Sequence, residues 1–168
     1  MIGRLRSLFA RGSNDRQLIE LNQIVRDVLK STQGDLEARG VSVTTQLTTQ
    51  GTLARIDVLQ LTQVLLNLIA NGCDAMWDRP RAERQLTIAT RIADRMIECS
   101  VTDRGHGIPS ASMERLFEPF VTTKDPGLGL GLSICRSIIL AHDGRVWAEN
   151  ASPRGATFRF SLSLITAE

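Results

Sequence analysis

A run of alternating glycines and leucines, "PGLGLGLSI" from Pro126 to Ile134, is the feature that most limits how this chain can fold. Strict alternation is typical of a β-strand, but glycine weakens strands and offers its neighbours nothing to pack on. The run leads directly into an apolar helical pattern that begins near Gly131. Successive glycines ahead of a helix expose backbone N–H groups at its positive end, an arrangement that binds anions. The sequence therefore predicts that a polyphosphate lies on bare backbone here.

This glycine run differs from two well-known phosphate-binding patterns. No Lys-Ser or Lys-Thr pair follows its last glycine, as a Walker loop requires. Its spacing also lacks the G-x-G-x-x-G of dinucleotide-binding turns. The run alone thus indicates an anion site and leaves the type of protein open.

A long apolar helix is predicted to follow Asp57, a plausible N-cap, through "VLQLTQVLLNLIANGCDAMWDR". Asn67 and Asn71 stand four residues apart on this helix and so point the same way. Asparagine is a poor residue for a helix interior because its amide competes for backbone partners. The pair is explained either as buried amides that the fold satisfies or as oxygen ligands for a hard cation such as Mg²⁺.

A glycine-containing loop, "DRGHGIP" from Asp103 to Pro109, follows a predicted strand. Asp and Gly favour such turns for conformational reasons alone. The functional alternative is a carboxylate at the floor of a pocket, where it accepts a hydrogen bond from an exocyclic amine while the glycines let a flat ring approach. A charge-assisted bond of this kind contributes roughly 1.5–3 kcal/mol.

A fourth stretch, "RLFEPF", carries Phe117 and Phe120, which we expect to pack a lid against the body of the domain. A short helical piece is predicted around Met113 to Phe117. The segment continues into "VTTKDPG", which is rich in turn-forming residues.

The remaining patterns predict a two-layer domain with helices on one face of a mixed sheet. Helical spacing runs from Gln17 to about Leu36, an alternating strand starts at Val41, a hairpin crosses Asp94 and Arg95, and two last strands meet at "SPRG". The resulting order of helix, strand, helix, hairpin, loop, helix and hairpin suits an α/β two-layer sandwich.

Composition argues against several classes of protein. The formal net charge of +2 gives no general reason to expect nucleic acid or an anionic membrane as a partner. The cysteines, Cys73, Cys99 and Cys135, lie in apolar runs and match no zinc spacing, so reduced thiols in a cytoplasmic protein are expected. No apolar run approaches the length of a membrane span, and the start "MIGRLRSLFARGS" is not a convincing signal peptide.

Together, in this order and at these separations, the motifs resemble those of the catalytic and ATP-binding domain of sensor histidine kinases, in the GHKL superfamily shared with gyrase and mismatch-repair ATPases. "NLIANGCDAM" looks like the N-box, "DRGHGIP" the first glycine box, "RLFEPF" the F-box and "GLGLGL" the second glycine box. The resemblance covers about Leu18 to Leu164. It implies the Bergerat fold, in which a mixed sheet of about five strands is backed by three helices.

The resemblance implies how a nucleotide would be held. Asn71 would hold a Mg²⁺ ion that bridges the ATP phosphates. Asp103 would accept a hydrogen bond from the adenine amino group, and Gly107 would allow the ring to seat. Thr157 would support Asp103 through water. ATP and Mg²⁺ are thus the expected cofactors.

Three positions are candidates for a catalytic role by the same resemblance. Asn67 precedes the metal-holding asparagine, and Lys124 and Arg115 would meet the β- and γ-phosphates. The segment from Ile108 to Pro126 would form a lid that is mobile until nucleotide binds. The full ATP-binding set implied is Asn71, Asp74, Asp103, Gly105, Gly107, Ile108, Phe120, Thr123, Lys124, Gly127, Leu128, Gly129, Leu130, Gly131, Leu132 and Thr157.

The chain departs from the family pattern in three ways. Gly72 stands where alanine is usual, and Leu128 replaces the commoner threonine or small residue. No phosphoacceptor histidine is evident, because His106 lies in the first glycine box and His142 follows the last helix. We therefore expect an excised or fragmentary catalytic domain, with residues 1–15 as the remnant of a dimerisation helix and residues 16–168 as the ATP-binding domain.

The expected reaction is transfer of the ATP γ-phosphoryl group to a histidine on that separate dimerisation domain, and indirectly to a response regulator. We expect a cytoplasmic monomer that binds no nucleic acid, with membrane anchoring of the parent protein left open. Related ATPases carry a glutamate at the position of Asn67, so slow ATP hydrolysis is expected of this chain alone. The alternatives are an anti-sigma-type serine kinase, a nucleotide-sensing binding module, and a structural α/β domain whose glycines only make turns.

Overall fold

The computed structural model describes residues 15–121 and 130–166. Its regular elements run along the chain as β1 (Gln17–Glu20), α1 (Leu21–Ala38), β2 (Ser42–Gln46), β3 (Leu53–Ile56), α2 (Val58–Ala75), β4 (Gln85–Ala93), β5 (Met96–Asp103), α3 (Gly131–Ala141), β6 (Arg145–Asn150) and β7 (Ala156–Ser163). Short 3-10 helices occupy Arg81–Glu83 and Ser110–Arg115.

A mixed sheet of five strands forms one layer, in the order β2-β4-β5-β7-β6. Strands β2 and β4 are parallel, and the other neighbours are antiparallel. Residues that pair across strands, such as Val101 with Phe158 and Cys99 with Phe160, are buried together on the helix side. The predicted α/β two-layer sandwich is therefore confirmed.

Helix α2 lies against the sheet because its apolar residues recur at helical spacing. Leu61, Val64, Leu65 and Leu68 are almost fully buried. The carboxylate of Asp57 accepts a hydrogen bond from the backbone nitrogen of Gln60 at 3.1 Å, so the predicted N-cap is confirmed. The last turn of the helix lies beside the end of β5, where a Cβ added at Gly72 would be 3.5 Å from the Cβ of Asp103.

The predicted start of the first helix at Gln17 is wrong, because Gln17–Glu20 pairs with Leu53–Ile56 in a second, two-stranded sheet. The side chain of Glu20 accepts hydrogen bonds from the backbone and hydroxyl groups of Thr52, and the Leu21 nitrogen donates to the Thr52 carbonyl. Helix α1 therefore begins only at Leu21. Residues 1–14 lie outside the described part, so the assignment of residues 1–15 stays a prediction.

The two hairpins are where the sequence places them. Asp94 and Arg95 have φ values of 49° and 63° and form a two-residue turn between β4 and β5. Strands β6 and β7 pair on either side of the turn at residues 151–155. This second hairpin brings the start of β7 next to the end of β5.

Candidate nucleotide-binding site

Two sequence motifs, the N-box and the first glycine box, meet at one end of the sheet, together with residues 130–132 from the described end of a third. Asp103 ends β5, and the loop that follows it lies against the carboxyl end of α2. A Cβ atom added at Gly105 would lie 2.4 Å from the carbonyl oxygen of Ala75, so only glycine permits this close approach. The start of α3 closes the other side, where the side-chain nitrogen of Asn67 donates to the Gly131 carbonyl at 3.2 Å.

Asp103 is a buried carboxylate with a fixed orientation. Its side chain is 2% exposed, and Oδ1 accepts hydrogen bonds from the backbone nitrogens of Gly105 at 2.8 Å and Ala156 at 3.3 Å. Burial raises the pKa of this carboxyl above its usual value, while the two backbone bonds and the nearby His106 act in the opposite direction. Among the described residues, both of these hydrogen bonds fall on the same oxygen.

Two glycines allow the backbone segments around Asp103 to approach each other closely. Gly107 has a φ of +79° and Gly155 a φ of +95°, both in the left-handed region. A Cβ at Gly155 would lie 1.9 Å from the backbone oxygen of Asp103, so no larger residue fits there. The loop after β5 and the turn before β7 are therefore packed closely together beside Asp103.

Helix α2, which contains the N-box, carries Asn67 and Asn71 on consecutive turns, and both residues are half-buried. Asn67 uses its amide to fasten α2 to the first residue of α3. Helix α3 begins after Leu130, whose apolar side chain makes no capping hydrogen bond. Leu132, in the first turn, packs against the core. Asn71 thus lies in the helix that borders both the buried carboxylate and the start of α3.

The F-box segment is only partly as predicted. Phe117 packs edge-on against Phe158 of β7, with ring centroids 6.4 Å apart and an interplanar angle of 80°. Phe120 is instead 75% exposed, so the expected packing of both rings is wrong for this one. The helical piece is a 3-10 helix that begins at Ser110 rather than near Met113. One aromatic ring therefore anchors this segment.

Thr157 does not lie where the resemblance puts it. Its hydroxyl oxygen is 2.9 Å from that of Thr102, its partner across the β5–β7 pair. Successive residues of a strand point to opposite faces, so Thr102 and Asp103 project to opposite sides of β5. Thr157 is therefore on the face away from the Asp103 carboxylate, and the backbone nitrogen of Ala156 takes the supporting position.

Two charged candidates are engaged in ion pairs. Arg115 contacts Glu118 at 3.1 Å on the surface. Asp74 lies 3.3 Å from Arg39, whose pKa is raised chiefly by its hydrogen bond to Asp35. The candidates that fall outside the described residues are Thr123, Lys124, Gly127, Leu128 and Gly129.

The sequence patterns did not predict the contact that Asn150 makes with the first glycine loop. The Asn150 side chain accepts a hydrogen bond from the Ile108 nitrogen at 2.7 Å and donates to the Ile108 oxygen at 3.0 Å. A single asparagine before a turn is common in strand ends, so its sequence position carried no signal of this contact.

Comparison with known proteins identifies a family to which the chain is similar. Residues 56–166 match the sequence model of the family described as histidine kinase-, DNA gyrase B-, and HSP90-like ATPases. The chain belongs to this ATPase family. Among curated relatives of this ATPase domain, the sensor protein FixL of Bradyrhizobium diazoefficiens is 40% identical over 162 residues, which cover 96% of this chain and 32% of that protein. The sensor protein TdiS of Thauera aromatica is 32% identical over 166 residues, covering 98% of this chain and 30% of that protein.

Solved structures are similar to the ATPase domain along most of its length. The catalytic domain of histidine kinase ThkA, in a nucleotide-free form, matches with a TM-score of 0.78 and 29% identity over 89% of this chain and 95% of that one. ThkA in complex with the response regulator protein TrrA matches with a TM-score of 0.76 and 26% identity over 98% of this chain and 48% of that one. The predicted catalytic domain of the sensor histidine kinase type is therefore confirmed.

The ATPase domain spans about a third of the length of the curated relatives it matches. None of the helices in the described residues combines the length and the apolar content that a membrane span requires.

Proposed function

We propose that this domain binds ATP between Asp103 and the start of α3 and passes the γ-phosphoryl group to a histidine on a separate dimerisation domain. The observation that carries the proposal is the buried Asp103 carboxylate, oriented through Oδ1 by the Gly105 and Ala156 backbone nitrogens. With one oxygen held in this way, the other acceptor is available to read an amino group. Adenine carries such a group on its ring edge.

The phosphates would lie toward α3. Gly131 opens this helix after a residue whose side chain makes no capping bond, so backbone N–H groups at the helix start are suited to an anion. The glycines that precede it in the sequence would extend this bare surface, and Lys124 and Arg115 would add positive charge. Positioning and charge neutralisation supply most of the catalysis in phosphoryl transfer.

The donor set fits Mg²⁺ held by Asn71. Among residues 15–121 and 130–166, no three His, Cys, Asp or Glu side chains form a metal-binding group. An ion bound there would therefore take an amide oxygen from Asn71 and its other ligands from phosphates and water, which suits Mg²⁺. When bound, Mg²⁺ would neutralise phosphate charge.

The two histidines of the chain support an acceptor on another domain. His142 is buried and hydrogen-bonded through both ring nitrogens to the backbone of Asp57 and Ile138. His106 is exposed within the first glycine loop, where its Nδ1 lies 2.8 Å from the Gly107 oxygen. Neither lies on a dimerisation helix. By similarity to ThkA, whose complex holds a response regulator, we infer that a response regulator receives the phosphoryl group in turn.

The test is binding of a non-hydrolysable ATP analogue to the wild-type chain and to Asp103→Asn, with and without Mg²⁺. We expect the substitution to weaken binding about tenfold or more, because a charge-assisted hydrogen bond is lost. Asn71→Ala should instead abolish the effect of Mg²⁺ on affinity. Equal affinity of Asp103→Asn and wild type would move base recognition elsewhere.

A further inference from the structure

A side chain at the end of the edge strand β6 binds the backbone of the first glycine loop, although it belongs to none of the four sequence motifs. The carboxamide of Asn150 pairs with both peptide groups of Ile108, accepting from the nitrogen at 2.7 Å and donating to the oxygen at 3.0 Å. Both distances are those of good hydrogen bonds. The two residues are 42 positions apart in the chain, so the contact joins the end of β6 to the loop after β5.

The same amide fixes the backbone next to Gly107. A Cβ at Gly107 would lie 2.9 Å from Oδ1 of Asn150 and 3.3 Å from the Gly155 oxygen. The loop is therefore held at two points, by the Asp103 carboxylate at Gly105 and by Asn150 at Ile108. Gly107, the predicted seat of the adenine ring, lies between these two points.

We propose that Asn150 is a positioning residue for base recognition. By pairing with Ile108 it sets the distance between the Gly107 backbone and the Asp103 carboxylate, and so the width of the space that receives a purine. This inference rests on the proposed function, since it takes Asp103 as the residue that reads the base. Asn150 acts through the loop, because its amide is occupied by the Ile108 backbone.

The experiment measures binding of ADP and of adenosine by calorimetry to wild type, Asn150→Ala, Glu149→Ala and Asp103→Asn. Asn150→Ala is expected to weaken both ligands by the same factor, about tenfold, because two hydrogen bonds that hold the loop are lost. Adenosine has no phosphates, so an equal loss places the effect at the base. Glu149→Ala is the matched control, since it removes a neighbouring exposed side chain whose partner is Arg159, and it should bind like wild type.

A second readout reports the contact directly. Hydrogen exchange at the Ile108 amide is expected to be slow in the ligand-free wild type and at least several-fold faster in Asn150→Ala. If that variant does not fold, Asn150→Asp keeps the shape and replaces the donor to the Ile108 oxygen by an acceptor, and it should weaken both ligands likewise.

The possible outcomes separate the two proposals. Wild-type affinity for ADP and adenosine in a folded Asn150 variant would overturn the positioning role while leaving Asp103 as the base reader. Loss of ADP binding with adenosine unaffected would also overturn it, since the effect would then arise at the phosphates. Wild-type affinity in Asp103→Asn would refute the proposed function, and this inference with it.

Discussion

The ring nitrogen Nε2 of His142 lies 3.1 Å from the backbone nitrogen of Asp57, the residue that caps α2. The other ring nitrogen, Nδ1, is 2.8 Å from the carbonyl oxygen of Ile138. A backbone N–H can only donate, so Nε2 is an unprotonated acceptor and Nδ1 carries the hydrogen. A neutral histidine thus fastens the end of α3 to the start of α2, the two helices that border the site.

This arrangement predicts a loss of stability in mild acid. Burial lowers the pKa of His142, whereas the unfolded chain takes up the proton near pH 6.5. The free energy of unfolding should therefore be highest above about pH 6.5 and should decrease as the pH falls below it, by at most about 1.4 kcal/mol per pH unit, because the unfolded state binds the proton more readily than the folded state. Urea unfolding between about pH 5.5 and 7.5 measures this slope.

Two variants test the assignment of that slope. His142→Gln should flatten the pH dependence in this range, at the cost of lower stability throughout. His106→Gln changes the exposed histidine, so a comparison of the two variants shows which histidine determines the slope. An unchanged slope in His142→Gln would show that another group is responsible.

The hydrogen bonds to Asp103 predict that Asp103→Asn changes the affinity for ADP relative to that for IDP. The oxygen that faces the Gly105 and Ala156 nitrogens must stay an acceptor, so Asp103→Asn would keep its carbonyl oxygen there and turn its NH₂ group toward the base. ADP, with an amino group at that edge, should bind about ten- to a hundredfold more weakly, whereas IDP, with a carbonyl, should lose much less. Competition binding gives the ADP-to-IDP ratio. Asp78→Asn, an exposed change beyond the end of α2, should leave the ratio alone, and a constant ratio in Asp103→Asn would contradict the assignment.

Hydrolysis of ATP by this chain alone should be slow. The amide of Asn67 is neutral and donates to the Gly131 oxygen, so it can neither accept a proton from water nor turn freely toward one. Phosphate release at saturating ATP is the measurement. Rapid release that Asn71→Ala abolishes would reveal a water-activating group elsewhere.

The two phenylalanines of the F-box offer a matched comparison of stability. Phe117→Ala should lower the free energy of unfolding by about 2 kcal/mol, since a half-buried ring loses its edge-on contact with Phe158. Phe120 is 75% exposed, and Phe120→Ala should change the value by less than about 0.5 kcal/mol. Denaturant unfolding of both variants checks the prediction, and equal losses would disprove the difference in packing.

The side chain of Leu86 explains why glycine occupies position 72, where the family usually has alanine. A Cβ at Gly72 would lie 2.6 Å from Cδ2 of this fully buried leucine. Gly72→Ala should therefore cost about 1–3 kcal/mol of overpacking, reduced by about 1 kcal/mol of better helix propensity. Adding Leu86→Val removes the obstructing atom, so the double variant should be about 1 kcal/mol more stable than the sum of the two single changes.

A glycine in α1 provides the control for this pair. A Cβ at Gly34 would meet nothing within 4 Å, so Gly34→Ala should raise stability by about 0.5–1 kcal/mol. Urea unfolding of all four variants measures these differences. Additive effects of Gly72→Ala and Leu86→Val would show that the two side chains do not compete for the same space.

Local signals predicted the parts of the fold that local interactions determine. Asp57 caps α2, Asp94 and Arg95 turn the first hairpin, and α3 starts at Gly131. By contrast, Gln17–Glu20 continues the apolar spacing of α1 and still forms a strand. Its partner, Leu53–Ile56, lies far along the chain, so the periodicity of the segment itself gives no information about that pairing.

In the site, too, features set by adjacent residues were predicted and features set by tertiary contacts were not. The motifs predicted that Asp103 and the glycines beside it lie together, because these residues are close in the sequence. Thr157 was misplaced because a shift of one residue in a strand moves a side chain to the other face. Asn150 was missed because its role depends on where the second hairpin brings it, beside Ile108.

Asp103 ends the middle strand of the five, with a partner strand on each side of β5. The backbone of Asp103 is therefore held in place by the paired strands on both sides of it. Related domains that share this arrangement and differ in nucleotide affinity should therefore have diverged in the loops around Asp103, while the strand that carries it stayed the same.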